Sequence, residues 1–374
     1  IPISFGEGPE RSGQVRFKLQ SMDPETGAFH LYRTMIMPEA GWSKPAGLAR
    51  ELVASCGPFI QGPPVAAAEQ GWIDPITFLE VCEYKEKWFA DAAIAMLSRG
   101  PWDLFMMQTH VIDHALHLWM VQADPLTAKS AAESEEYLGY LRNLFSAVDR
   151  MVGSVVDACA SEDTLVVIVS DHGAKTWDME ICDRQDYDRQ KPVREILREA
   201  GLAAYTADPQ TGREVVDWSR TKAKEQRGVH VYVNIRGRDP DGIVEPGEEY
   251  ERVRGQVIDA LLSHRDPKTG RCPFTLVLRR EDARILGQYG EKTGDVVYAI
   301  GDRYAYLHGQ QLPTCVYGIS SLKSLFVMAG PGVKRCVRME RTMWLVDVVP
   351  TICRLTGWPV PGGCEGGILY QALE

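Results

Sequence analysis

Thr164-Leu165-Val166-Val167-Ile168-Val169-Ser170-Asp171-His172-Gly173 is the stretch on which the architecture turns. Its β-branched run shows no polar alternation, the pattern of a central strand covered on both faces. Tyr137, Leu141, Leu144, Val148, Met151 and Val155 precede it at helical spacing, so a long amphipathic helix feeds the strand. The same order occurs once upstream. Phe78, Cys82, Phe89, Ala93 and Met96 trace a helical stripe, Gly100-Pro101 stops it, and Asp103 to Gln108 follows as a short apolar run predicted to be a buried strand. Helix followed by buried strand, twice, predicts an α/β fold.

Outward from this core, the runs Gln14 to Gln20 and Ala28 to Ile36 flank Met22-Asp23-Pro24-Glu25-Thr26-Gly27, a turn sequence that predicts a β-hairpin over residues 10 to 38. Pro192 and Gly201 bracket a short helix. Val231 to Ile235, a helix with Tyr250, Val253, Val257 and Leu261 on one face, and Phe274 to Leu278 make a β-rich block. Asp295 to Ile300 and Ser324 to Ala329 return to buried-strand character, and Asp347 is placed to cap a last helix ending at Gly357. The resulting division is a hairpin extension at 1–40, the first part of the α/β core at 41–204, a β-rich insertion or cap at 205–290, and the second part of the core at 291–374. No internal repeat or low-complexity linker is read.

With 41 Lys and Arg against 51 Asp and Glu, the net charge of −10 lacks the electrostatic footprint of a nucleic-acid binder. No apolar run is long enough to span a membrane, and Ile1-Pro2-Ile3-Ser4-Phe5 has no signal-peptide pattern, so a membrane association is not expected. Nine cysteines without a Cys-x-x-Cys pair argue against a disulfide framework or zinc ribbon and point to a reducing cytoplasm.

Ligands in an open α/β sheet gather where strands end. After the first expected strand come Thr109-His110-Val111-Ile112-Asp113-His114-Ala115-Leu116-His117, in which Asp113 and His117 share a helical face. After the second come Asp171 and His172, with Gly173 giving the backbone freedom to turn. Carboxylate and imidazole donors suit zinc, and also manganese or iron. Singly, an Asp-x-x-x-His is more often a surface ion pair, and an Asp-His-Gly is equally weak. At the ends of two consecutive strands, in a chain with eight histidines, the two reinforce each other. His110 and His114 read as supporting or packing residues, and His30, His230 and His264 have no partners that mark them as ligands.

Asp113-x-x-x-His117, Ser170-Asp171-His172-Gly173 and Asp347-Val348-Val349-Pro350-Thr351 together resemble the alkaline phosphatase superfamily, in its type I phosphodiesterase/nucleotide pyrophosphatase branch. Asp217-Trp218-Ser219-Arg220-Thr221-Lys222-Ala223, followed by Val231 to Arg238, is similar to predicted phosphohydrolases of that superfamily, related to cofactor-independent phosphoglycerate mutase. The likeness runs from about residue 40 to the C-terminus. It implies an alkaline-phosphatase-like central sheet flanked by helices, and two divalent metals, zinc or manganese, about 4 Å apart. Asp113 and His117 would hold one metal and Asp171 and His172 the other. A Thr or Ser nucleophile would attack a small phosphate ester, by in-line transfer.

The chain departs from the family pattern twice. The nucleophile and its strand are expected upstream of Ile1, supplied by an upstream segment or a partner chain. The family's C-terminal histidine aligns with Ser320 or Ser321, leaving His308 as the nearest substitute metal ligand. A catalytically incomplete relative, serving as a binding or scaffolding module, is therefore the competing reading. A phosphomutase or sulfatase is a further one, the latter weakened because no Cys-x-Pro-x-Arg stretch is present.

Overall fold

The computed structural model describes residues 2–4, 12–176, 191–226, 228–301, 304, 311–312 and 323–374. They form two compact units: one from residues 1–171 and 325–374, the other from 172–324. The division departs from the boundaries expected at 204, 205 and 290.

The first unit opens with β1 (Pro2–Ser4), β2 (Ser12–Gln14), β3 (Phe17–Met22), β4 (Phe29–Arg33) and β5 (Met37–Pro38). β3 and β4 pair antiparallel, Leu19 opposite Leu31, which is the hairpin read from the sequence. β2 joins β1 and β5 in a small antiparallel sheet. Helices α1 (Leu48–Cys56), α2 (Val65–Glu69), α3 (Pro75–Leu97), α4 (Val111–Ala123) and α5 (Ala131–Cys159) follow. Asp74 starts α3, its carboxylate accepting from the Thr77 N–H at 2.6 Å ahead of Pro75, a residue that fits the first helical turn. Ser130 starts α5 by accepting from the Glu133 N–H at 3.1 Å. Phe78, Cys82, Val111, Ala115, Trp119, Leu141 and Leu144 interlock where α3, α4 and α5 meet, with Phe78 edge-on to Trp119 at 5.0 Å.

The strand expected at Asp103 to Gln108 is absent: these residues are irregular, with Leu104 58% and Met106 81% exposed. Its run of apolar side chains implied burial, but among the described residues no strand pairs with it and so no ladder forms. The β-branched run does form a strand, β6 (Val166–Val169).

In the second unit, α6 (Lys191–Glu199) and α7 (Glu248–Ser263) cover a sheet. A separate hairpin joins β7 (Tyr205–Ala207) to β8 (Glu214–Val216). The sheet contains β9 (Ala223–Gln226), β10 (His230–Val233), β11 (Phe274–Arg279) and β12 (Val296–Gly301), in the order β11-β12-β10-β9, with β13 (Gln311–Leu312) pairing β12. The run around Asp295 to Ile300, assigned above to the core's second part, thus belongs here. The reason is packing: Val296, Val297 and Tyr298 have no exposed surface, and β12 is bonded on both sides by β10 and β11. The short helix after Pro192 joins this unit too, through Val193 and Leu197.

The chain returns to the first unit with β14 (Phe326–Ala329), antiparallel to β6 with Phe326 opposite Val169, and ends with α8 (Val348–Thr356). β6 and β14 make a two-stranded sheet among the described residues, and β6 is half-buried rather than covered on both faces. The molecule is α/β with an N-terminal hairpin.

Three turns of the chain share one pentapeptide pattern, a short repeat at the level of the turn. Asp23-Pro24-Glu25-Thr26-Gly27, Asp208-Pro209-Gln210-Thr211-Gly212 and Asp266-Pro267-Lys268-Thr269-Gly270 are the same turn. In each, the Asp side chain accepts from the N–H two residues on and from the Thr hydroxyl, and the Gly N–H closes onto the Asp carbonyl.

Candidate functional site

Helix α4 carries the first ligand pair. Val111, Ala115, Trp119 and Ala123 recur every fourth residue and are buried, which fixes the rotation of the helix. Asp113 and His117 fall on the face away from that stripe, one turn apart, with His117 Nε2 3.4 Å from Asp113 Oδ1. Asp113 lies in the first turn, where the positive end of the helix favours a carboxylate. Their side chains are 26% and 12% exposed, sheltered yet reachable. His114 between them is drawn towards neutrality by burial, against the opposing pull of Asp113, and its ring stacks on His110 at 5.8 Å. His114 is sheltered, whereas His110 is exposed.

The second pair leaves the end of β6. The Ser170 N–H donates to the Leu325 carbonyl at 3.0 Å, extending the pairing with the other strand to the last residue before Asp171. His172 Nδ1 lies 2.9 Å from the Gly173 carbonyl. A carbonyl can only accept, so Nδ1 is the donor in this contact, the arrangement by which a backbone carbonyl orients an imidazole that ligates through Nε2. His308, and Ser320 and Ser321 with which it was weighed, lie outside the described residues. Among the described residues no three His, Cys, Asp or Glu side chains converge into one metal-holding group. The donor chemistry of each pair, an oxygen and a nitrogen, nonetheless fits a divalent cation of the zinc or manganese type.

The third motif is structural in this fold. Asp347 Oδ2 accepts from the Trp344 N–H at 2.9 Å and Oδ1 from the Gly367 N–H at 2.8 Å. Its side chain does not cap α8 as expected, because it is engaged by these two backbone groups. Thr351, buried, donates to the Asp347 carbonyl at 2.7 Å and accepts from the Leu369 N–H at 3.0 Å. The motif ties the C-terminal tail to the start of α8.

At the entry to α4 lies a buried polar group that the sequence reading missed. Lys85 and Glu86 on α3 are 4% and 1% exposed. Burial pushes the Glu86 carboxyl up and the Lys85 ammonium down, each partly opposed by the other's charge. Lys85 Nζ is 3.9 Å from Glu86 Oε1 and 4.5 Å from the centre of the Phe89 ring. The Thr109 hydroxyl donates to Glu86 Oε1 at 2.6 Å. The signal was available: between Cys82 and Phe89, the apolar stripe of α3 is filled by Lys85 and Glu86.

The profile of the family described as type I phosphodiesterase / nucleotide pyrophosphatase matches residues 58–324, a span that includes both ligand pairs. The chain belongs to this family. The alkaline phosphatase superfamily resemblance read from the motifs is thereby upheld. A crystal structure of wild-type alkaline phosphatase PafA is similar at 16% identity and a TM-score of 0.49, over 80% of this chain and 54% of that one. The chain thus spans about half the length of that phosphatase. Comparison with curated protein sequences gives no significant match. No helix among the described residues is long and apolar enough to cross a membrane.

Proposed function

We propose that this member of the phosphodiesterase family is a metal-dependent hydrolase of small phosphate esters. In this reading Asp113 and His117 hold one divalent cation, and Asp171 and His172 hold a second. The observation that carries it is the Asp113–His117 pair. A carboxylate and an imidazole 3.4 Å apart, on a helix whose rotation is fixed by its buried stripe, lie within the span matched by a phosphoester-cleaving family. Bound cations would supply Lewis-acid polarisation of the phosphoryl oxygens and offset the charge that develops on them.

The chain's own residues contribute orientation. His172 keeps its Nδ1 proton on the Gly173 carbonyl, which leaves Nε2 as the ligating atom. Asp113 and His117 are carried by a helix buried along its opposite stripe, so little backbone freedom remains to be lost when an ion binds. Local positive charge is also what an anionic ester needs here, since the chain's net charge of −10 repels anions at long range.

The test is elemental analysis of purified protein, together with hydrolysis of p-nitrophenyl phosphate and bis-p-nitrophenyl phosphate in added zinc or manganese. Bound metal with turnover supports the hydrolase, and the ratio of the two rates assigns mono- or diesterase character. Metal without turnover identifies a binding module that keeps the ligands. Absence of both overturns the reading. Asp171→Ala is expected to lower metal content by about one equivalent per chain, on the two-metal stoichiometry; unchanged content removes Asp171 from the ligand set.

A further inference from the structure

We propose that Glu86 is a positioning residue for the Asp113–His117 pair, acting through the hydroxyl of Thr109. This rests on the reading of that pair as metal ligands. Helix α4 begins without a side-chain cap, since its N-cap residue His110 makes no capping hydrogen bond. Its entry is held one residue earlier. Thr109 Oγ1 donates to Glu86 Oε1 at 2.6 Å, while the Val111 N–H approaches Thr109 Oγ1 at 3.5 Å. Glu86 is thus joined to the first turn of the helix through Thr109, by one short hydrogen bond and one long one in series. Val111 has no exposed surface, so the turn is gripped from its apolar side as well.

Two further observations argue that Glu86 is more than a filler of the α3 stripe. A carboxylate that is 1% exposed costs several kcal/mol to bury, and an apolar residue of similar volume would often be as stable or more so. Yet the charge opposite it is distant for an ion pair, with Lys85 Nζ at 3.9 Å, and Glu86 Oε2 has no hydrogen-bond partner among the described residues. The bond that orients this carboxylate is therefore the one to Thr109. A carboxylate that aims a hydroxyl, which in turn sets the start of the ligand helix, does for the helix what outer carboxylates do for single histidine ligands.

The experiment measures Zn2+ and Mn2+ affinity by titration calorimetry on the full chain, with hydrogen exchange of residues 109–117 read in parallel. Glu86→Leu and Thr109→Val are each expected to weaken metal binding about 10- to 100-fold, the usual cost of losing an outer-shell partner. The double variant is expected to be no worse than either single, because both break one link. Thr109→Ser keeps the hydroxyl and is expected to restore affinity, and Glu86→Gln keeps an acceptor oxygen and is expected to bind within about threefold of the parent, a small share of that loss. Thermal stability followed alongside separates a structural role, which would lower stability and leave affinity intact. Parent-like affinity in Glu86→Leu or Thr109→Val, or additive losses in the double variant, overturns the proposal. Should the parent bind no metal, the ligand reading fails by itself; positioning is then upheld by faster exchange over 109–117 in Thr109→Val with recovery in Thr109→Ser, and overturned by unchanged exchange.

Discussion

At Gly330 the backbone passes so close to a neighbouring segment that no side chain fits. A Cβ there would lie 2.5 Å from the Thr164 carbonyl oxygen and 2.9 Å from Leu165 Cα, and the residue has φ +138°, a region that L side chains avoid. Gly330-Pro331-Gly332 is therefore not merely a loop signature: its first glycine lets the exit of β14 run beside the entry to β6. Gly330→Ala is expected to cost about 1–3 kcal/mol, the scale of backbone strain at such positions, read as a lowered urea midpoint with an unchanged slope. Full retention of the midpoint would show that the two segments can part without penalty. At the same scale, Asp347 shows how a residue type underdetermines its role. A capping carboxylate was a sound reading of its position before α8, but its two oxygens are taken by the Trp344 and Gly367 N–H groups, and the latter is distant in sequence.

Among the elements, α3 shows how much stability a helix draws from its first residue and how much function from its buried face. The Asp74 carboxyl is held below the ordinary carboxylate range chiefly by the Thr77 N–H it accepts from. Asp74→Ala is expected to cost about 0.5–2 kcal/mol, the usual loss of an N-cap, in chemical denaturation followed by far-ultraviolet circular dichroism. A smaller loss in acid than at neutral pH belongs to the same account, since the cap's carboxylate form is lost as pH falls through its depressed folded pKa. Equal loss at both pH values would mean that the packing of Pro75 and not the cap sets the helix start. The three Asp-Pro-x-Thr-Gly turns show the opposite regime, in which local chemistry alone dictates geometry: one pentapeptide closes the β3–β4 hairpin, the β7–β8 hairpin and the approach to β11 in the same way. The failed strand at Asp103 to Gln108 lies between these regimes, because an apolar run becomes a strand only when another strand accepts its hydrogen bonds.

For the whole molecule, the second unit is organised around Asp295, a carboxylate with no exposed surface. Arg238 reaches it with a fork at 2.8 and 2.9 Å, Arg280 adds a further contact, and the Tyr250 hydroxyl and the Val233 N–H donate at 2.9 and 2.7 Å. Residues from β10, α7 and the segments after β10 and β11 are thereby tied to one point just ahead of β12. Burial alone would raise the Asp295 pKa, but these donors outweigh it and hold the pKa below the ordinary value. Asp295→Ala is expected to cost about 3–5 kcal/mol, because two arginines lose their buried counter-charge, with the loss read by hydrogen exchange over β10 and β12. The pH dependence has a definite sign. A depressed folded pKa means the stabilisation is complete above the unfolded value of about 3.9 and fades as pH falls through the folded pKa. The stability gap between parent and Asp295→Asn should therefore narrow on acidification below about pH 4, from that same reference value; a constant gap would show that hydrogen bonding rather than charge holds the hub.

Periodicity and helix-end signals determined α3 and α5 to α8, the N-terminal hairpin and the β-branched strand β6, because each is set by side chains within a few residues of one another. The two ligand motifs and the family followed from short fixed spacings, and the Asp113–His117 juxtaposition is a direct consequence of helical pitch. Only the tertiary structure decided that Val296–Gly301 is a central strand of the second unit, that Asp103 to Gln108 forms no strand, and that Asp347 binds the tail. It alone revealed Glu86 behind Thr109, residues 23 positions apart. These facts depend on which distant segment offers a backbone donor, a second strand or a cavity for a charge, and a one-dimensional pattern carries the demand for such a partner without naming it.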